Sequence, residues 1–253
     1  MLRYRLFELT CCYETPLAEA QNPKKRETDL IDTYDQPSIS PLGIRIDEPI
    51  TTLTDLMVSG ICFYAFIQIS KREKNKALVY FQWYFLTMGV ATAFGGIIGH
   101  AFLYALGFAW KLPGWLISMI SITVLERAMI EYSKPLLKGR WHQFFGYFNL
   151  IELATFAFLS YYYLNFQFVE IHSGYGLIVF VLAFSIFNFI KREKHDRQVA
   201  KNFIVAVGFA ALGGLVFMTK SGISPWLNHN DISHLFLCGA AWCFYVGARK
   251  IKT

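Results

Sequence analysis

From residue 50 onward, long apolar stretches alternate with short runs in which the charges are bunched. A helix needs about 20 mostly apolar residues to cross a hydrocarbon core about 30 Å thick. Seven stretches approach or exceed that length, at about 50–70, 77–106, 112–131, 143–164, 171–190, 202–219 and 230–248. The pattern predicts an all-α integral membrane bundle of seven transmembrane helices, in which short polar connections make consecutive helices antiparallel neighbours. Residues 50–253 therefore form one domain. Residues 1–49 lack apolar periodicity, and the segment QNPKKRETDLIDTYDQPSISP is rich in charge, Ser and Pro, which predicts a largely disordered polar tail. The opening MLRYRLFELTCCY does not read as a signal peptide, because Glu8 interrupts its apolar run and no small-residue cleavage pattern follows. A short amphipathic surface helix is the alternative there.

Charge sets the orientation. Basic residues in short loops stay on the cytoplasmic side. The loops after the first, third and fifth stretches, together with the C-terminal RKIKT, hold fifteen Lys and Arg; the three alternate loops hold two, Lys111 and Lys220. This places the N-terminus outside and the C-terminus in the cytoplasm. Trp110, Trp115 and Trp226 then lie near the outer interface and Trp83 and Trp141 near the inner one. An excess of basic residues, with net charge +6, also fits a nucleic-acid partner in principle. Here the basic residues punctuate apolar segments instead of covering one face, so membrane topology explains them and a nucleic-acid partner is excluded. The composition agrees: 55% hydrophobic, 17% charged and a mean hydropathy of +0.36. Of five cysteines, Cys11 and Cys12 are adjacent in the tail and Cys62, Cys238 and Cys243 lie in apolar stretches; no CxxC occurs, so there is no redox or zinc-finger signal.

Ionisable side chains inside a span are costly and mark functional positions by default. Asp55 in the first stretch, His100 in the second, His172 opening the fifth, and His229, Asp231 and His234 opening the seventh all fall within roughly 10 Å of the outer boundary, at about 1.5 Å of rise per residue. Helical spacing puts Asn230, His234 and Cys238 on one face with Asp231 beside them, and Thr52, Asp55 and Ser59 on another. Gly89, Ala93, Gly96 and His100 line one side of the second stretch, where Gly95 and Gly99 also form a GxxxG; small residues there turn His100 into the bundle. A second group lies deeper: Glu126 and Arg127 in the third stretch, Asn149 and Glu152 in the fourth. Adjacent residues do not face each other on a helix, so Arg127 is expected to pair with Glu152 across the helices as structural glue.

The motifs GIIGH (Gly96–His100) and NDISH (Asn230–His234) give the outer layer a pattern that resembles a superfamily of seven-span membrane hydrolases, which includes the alkaline ceramidases and the adiponectin-receptor-like proteins. That family carries SxxxH on its second span, an Asp on its third and HxxxH on its seventh, and the resemblance covers about residues 50–248, including the orientation. It implies zinc held by histidines, with His100 and His234 at the matching positions, and water attacking the amide of a membrane lipid. The sequence departs from the pattern at three places. Gly96 stands for the serine, Asn230 for one histidine, and the outer half of the third stretch offers only Ser118 and Ser121. His229 is the candidate replacement ligand, and Asp55 and Asp231 are the candidate catalytic carboxylates. Imidazoles with a carboxylate and water make a common catalytic zinc site. The competing reading for His229 and Asp231 is a capped helix start, and for interfacial histidines a bond to headgroups or water.

Other seven-span functions find less support. A retinal protein needs a lysine within the last stretch, and positions 231–248 contain none. A haem would have only His100 and His234 as axial ligands. A transporter or a lipid sensor that uses the same polar pocket remains the alternative, although no internal repeat marks the two halves. GGIIG lies inside a span and is not a phosphate loop. The expected setting is the cell membrane.

Overall fold

The computed structural model describes residues 37–73 and 75–252. The expectations for residues 1–36, namely most of the polar tail, the helix considered at its start and the Cys11–Cys12 pair, lie outside the described residues. Residues 37–48, grouped with the tail from their composition, form a small antiparallel hairpin of β1 (Ser38–Ile39) and β2 (Ile46–Asp47) joined through a turn at Pro41–Gly43. The hairpin is tied to the loop after the second helix. Tyr104 Oη donates to the Arg45 carbonyl at 3.0 Å, and the Arg45 guanidinium lies over the Tyr104 ring, 4.9 Å from its centroid. Asp47 accepts two bonds from Arg45 and holds the guanidinium pKa above its ordinary value.

Seven helices long and apolar enough to cross a membrane follow: span 1 (Pro49–Ser70), span 2 (Lys76–Ala101), span 3 (Phe108–Leu136), span 4 (Trp141–Tyr163), span 5 (Gln167–Lys191), span 6 (Lys194–Met218) and span 7 (His229–Ala248). The fold is the expected all-α membrane bundle. Span 2 ends at Ala101, five residues short of its apolar stretch. The chain unwinds through a short helix, Leu103–Leu106, to Gly107, whose φ of 88° suits glycine. Local chemistry sets other ends. Pro49 opens span 1, where its fixed φ fits the first turn. Asn75 caps span 2 by accepting from Leu78 N at 3.0 Å. Arg72 crosses to the C-terminal end of span 7 and donates to the Arg249 and Ile251 carbonyls at 2.6 and 3.1 Å, so this loop cation also satisfies helix-end acceptors.

Neighbour contacts run 1–2–3–5–6–7–1 in a closed ring, with span 4 docked outside on spans 3 and 5. Only 22% of span 4's most apolar window is buried, against 50% for span 7, which fixes span 4 as the peripheral helix. The half of the ring around the end of span 1 and the start of span 2 is filled by aromatic packing. Phe81 stacks on Phe203 at 5.0 Å, and Phe203 meets Phe244 at 6.1 Å. Leu78, Ile69 and Phe85 complete this plug. Of the interfacial tryptophans, Trp110, Trp226, Trp83 and Trp141 are exposed, but Trp115 is buried between Phe108 and Phe166 and belongs to the core. Two spans contain a widened π-helical segment, Gly95–Ala101 in span 2 and Gly176–Leu182 in span 5, each opened by a glycine. Such segments are rare and concentrate at functional sites.

Candidate functional site

Span 1 turns its polar stripe toward span 2. Thr52 Oγ1 donates to the Gly96 carbonyl at 3.2 Å and Ser59 Oγ to the Gly89 carbonyl at 2.8 Å. A Cβ at Gly96 would sit 2.9 Å from Asp55 Cβ and 3.1 Å from the Thr52 carbonyl, so only glycine permits this approach. Gly89 lies equally close to Phe63 and Cys62 of span 1, whereas a Cβ at Gly99 would meet nothing within 4 Å. The close-contact glycines are therefore Gly89 and Gly96, with Gly95 at ordinary contact distance from Asp55 and Gly99 making none. The π-helical turn that begins at Gly95 then carries His100 to the mouth of the ring, above Asp55.

Three spans meet there. His100 Nδ1 donates to Glu48 Oε2 at 2.8 Å, a carboxylate that can only accept. The proton of Thr54 Oγ1 is used on the Thr51 carbonyl at 3.0 Å, so the same oxygen accepts from His234 Nδ1 at 3.1 Å. In the neutral form each ring therefore carries its proton on Nδ1 and turns the Nε2 lone pair away from that partner. Both Nε2 atoms face one carboxylate: His100 lies 3.9 Å from Asp55 Oδ2 and His234 3.5 Å from Asp55 Oδ1. Those separations are too long for a strong hydrogen bond. The side chains of His100 and His234 keep 18% and 15% of their surface open, while Asp55 keeps 7%. The two rings are thus partly open and the carboxylate is the more buried group of the three.

The other sequence candidates of the outer layer are placed elsewhere. Both oxygens of Asp231 are committed, Oδ1 to Thr51 Oγ1 at 2.7 Å and Oδ2 to Asn228 N at 2.7 Å, in a capping box that starts span 7. Asp231 therefore holds span 7 against span 1 instead of facing the open rings. His229 packs on the Phe217 ring at 5.6 Å; among the described residues the imidazoles within 4 Å of Asp55 are those of His100 and His234. The residues that the sequence reading missed are Glu48, in the turn before span 1, and Thr54.

His172 also leaves the outer group. It lies fully buried across the ring, where spans 3, 4 and 5 meet, and its Nε2 donates to the Met119 carbonyl at 3.1 Å. Its Nδ1 faces Glu152 Oε1 at 2.9 Å. Asn149 Nδ2 donates to Glu126 Oε2 at 2.8 Å and to the Thr123 carbonyl at 3.2 Å. The expected Arg127–Glu152 pair does not form. Arg127 instead donates to the Gly146 carbonyl at 2.6 Å, where the missing side chain of Gly146 leaves room for the guanidinium. Glu126 and Arg127 do point apart, as adjacent helical positions must.

The chain belongs to a family of unknown function, DUF6962, which residues 50–253 match. Neither the curated proteins nor the solved structures yield a match.

Proposed function

We propose that this member of DUF6962 is a zinc-dependent hydrolase of the cell membrane that cleaves an amide bond of a membrane lipid at its outer face. The observation that carries the reading is the pair of proton-bearing Nδ1 atoms held by Glu48 and Thr54, which leaves two bare Nε2 atoms turned to Asp55. A cation between the two lone pairs and the carboxylate would satisfy all three groups at once. Histidines that ligate zinc commonly give their second nitrogen to a carboxylate or another oxygen, as these two do. The donor–donor separations of 3.5 and 3.9 Å are near the roughly 3.3–3.6 Å that ligands at 2.0–2.2 Å from a tetrahedral ion show. The ring centroids lie 6.4 Å apart where sharing one ion calls for about 5 Å, and the donor atoms of His100, His234 and Asp55 do not all lie within 4.8 Å of one another, so this reading requires the side chains to close on the ion.

When bound, zinc supplies a Lewis acid and water acidified to a pKa of about 7. The chain does the rest. His100, His234 and Asp55 hold the site, and Glu48 and Thr54 fix the two rings. The Phe81–Phe203–Phe244 plug closes the cytoplasmic half, so lipid and water enter from outside. The oxygen of water adds to the amide carbonyl carbon, the C–N bond breaks, and the Asp55 oxygen that does not hold the ion would pass a proton from that water to the departing nitrogen.

The test uses the purified full chain with N-acyl lipids in mixed micelles. Zinc-loaded protein should release fatty acid and amine in equal amounts, a chelator should stop the reaction, and added zinc should restore it. Asp55→Asn should lower the rate by about 10²–10⁴-fold. Zinc-loaded wild type with no amide hydrolysis across a series of headgroups, or a rate untouched by Asp55→Asn, would overturn the reading.

A further inference from the structure

Glu126, Glu152 and His172 are not used by the outer centre, yet each offers a donor atom within 4.8 Å of the others. A structural polar cluster inside a membrane normally pairs every polar atom, because an unpaired buried acceptor costs about 1–3 kcal/mol. This cluster does not. Among the described residues, Glu126 Oε1, Glu152 Oε2 and Asn149 Oδ1 are buried without a hydrogen-bond partner, although Glu126 and Asn149 are completely buried and Glu152 is 6% exposed. All three are acceptors. The Met119 carbonyl fixes a His172 proton on Nε2, and His172 Nδ1 is hydrogen-bonded to Glu152 Oε1 at 2.9 Å, which ties the imidazole to one carboxylate of the cluster. Three unpaired acceptors from spans 3 and 4 thus lie in a cluster with the His172 ring of span 5, and its two glutamates carry a formal charge of −2 when both are ionised. The nearest guanidinium, Arg127, is spent on the Gly146 carbonyl.

We propose that Glu126, Glu152 and His172, with Asn149 beside them, bind a divalent transition-metal ion that locks spans 3, 4 and 5 together. A dication cancels the charge of the two carboxylates, which hydrocarbon surroundings otherwise make expensive. One imidazole with carboxylate and amide oxygens suits a divalent ion such as zinc or manganese. The backbone is shaped for the cluster as well. A Cβ on Gly176 would collide with Glu126 Oε1 and lie 2.8 Å from Ile122 Cγ2, and Gly176 is the residue that opens the π-helical segment of span 5. The site is closed, so the ion enters as the spans assemble, and its role is structural, as in fully coordinated sites without a position open to substrate. It also gives the peripheral span 4 an anchor that its small buried face does not supply.

The experiment separates this site from the outer one. The full chain carrying His100→Ala and His234→Ala together is expressed with zinc sulfate, purified in detergent, and its metal is counted by elemental analysis. About one zinc per chain should remain, and adding Glu152→Gln, which keeps the shape of the side chain, should remove it. Chelation should lower the melting temperature of the first variant and leave that of the second unchanged. If the doubly substituted chain keeps its elution profile and helical content but holds no zinc or manganese, the proposal is overturned, because an unoccupied pair of glutamates must then be neutralised by protons. It is equally overturned if Glu152→Gln leaves the ion in place. The difference between wild type and the doubly substituted chain reports only on the outer centre, so either site can fail alone.

Discussion

Glu48 Oε2 accepts from His100 Nδ1 at 2.8 Å across 52 residues of sequence, and it does so from a backbone turned into the left-handed region, at φ 46° and ψ 54°. A non-glycine residue there is uncommon and carries strain of order 1–3 kcal/mol. The strain is local to the turn that delivers the carboxylate, between β2 and the Pro49 start of span 1. A partner on the second nitrogen of a ligating histidine is worth about 10–100-fold in metal affinity. Glu48→Gln is expected to weaken zinc binding at the outer centre by that factor while leaving saturation stoichiometry unchanged, as followed by competition with a calibrated chelator. Unchanged affinity would remove Glu48 from the site.

Asp231 separates a positioning role from a ligand role. Asp231→Ala takes away half of the capping box and the bond from Thr51, and should cost about 0.5–2 kcal/mol. The expected result is a lower melting temperature with the outer zinc still bound. Loss of zinc from a protein that melts normally would return Asp231 to the ligand set.

Two glycines one turn apart make a matched pair for stability. Gly96→Ala forces its Cβ onto Asp55 and should destabilise by about 1–3 kcal/mol, like other overpacked sites. Gly99→Ala faces open space and should stay within about 0.5 kcal/mol of wild type. Thermal melts of both variants in one detergent compare them directly, and equal melting temperatures would contradict the span 1–span 2 contact described here.

Topology is checked by single cysteines on a background without exposed ones. Asn165→Cys, between spans 4 and 5, should react with a membrane-impermeant thiol reagent in intact cells, and Glu193→Cys, between spans 5 and 6, should not. The reverse pattern would put the Asp55 centre on the cytoplasmic face.

Sequence carried the bundle well because the signal is coarse: an apolar stretch of membrane length bounded by basic runs needs no partner to be recognised. It carried the site unevenly. Depth along a helix is legible by counting residues, and counting puts Asp55, His100, His172 and His234 near one level. Position around the ring is not legible, because it depends on which helices are neighbours. Spans 1, 2 and 7 adjoin, so Asp55, His100 and His234 meet; span 5 lies across the ring, so His172 meets Glu152 instead. The Arg127–Glu152 expectation failed because Glu152 is turned to His172, while Arg127 meets span 4 at Gly146, where the missing side chain lets it reach the carbonyl. Glu48 had no signal at all. It lies in a turn without periodicity, and only its Pro49 neighbour marked a helix start.

The central claim is that the bare Nε2 atoms of His100 and His234 and the Asp55 carboxylate share one zinc ion. Crystals of the full chain grown with zinc and measured on both sides of the zinc absorption edge test it most directly. The account predicts an anomalous peak about 2.0–2.2 Å from both Nε2 atoms and from an Asp55 oxygen. Ordered rings with no peak between them, and a ring nitrogen hydrogen-bonded straight to Asp55, would contradict it.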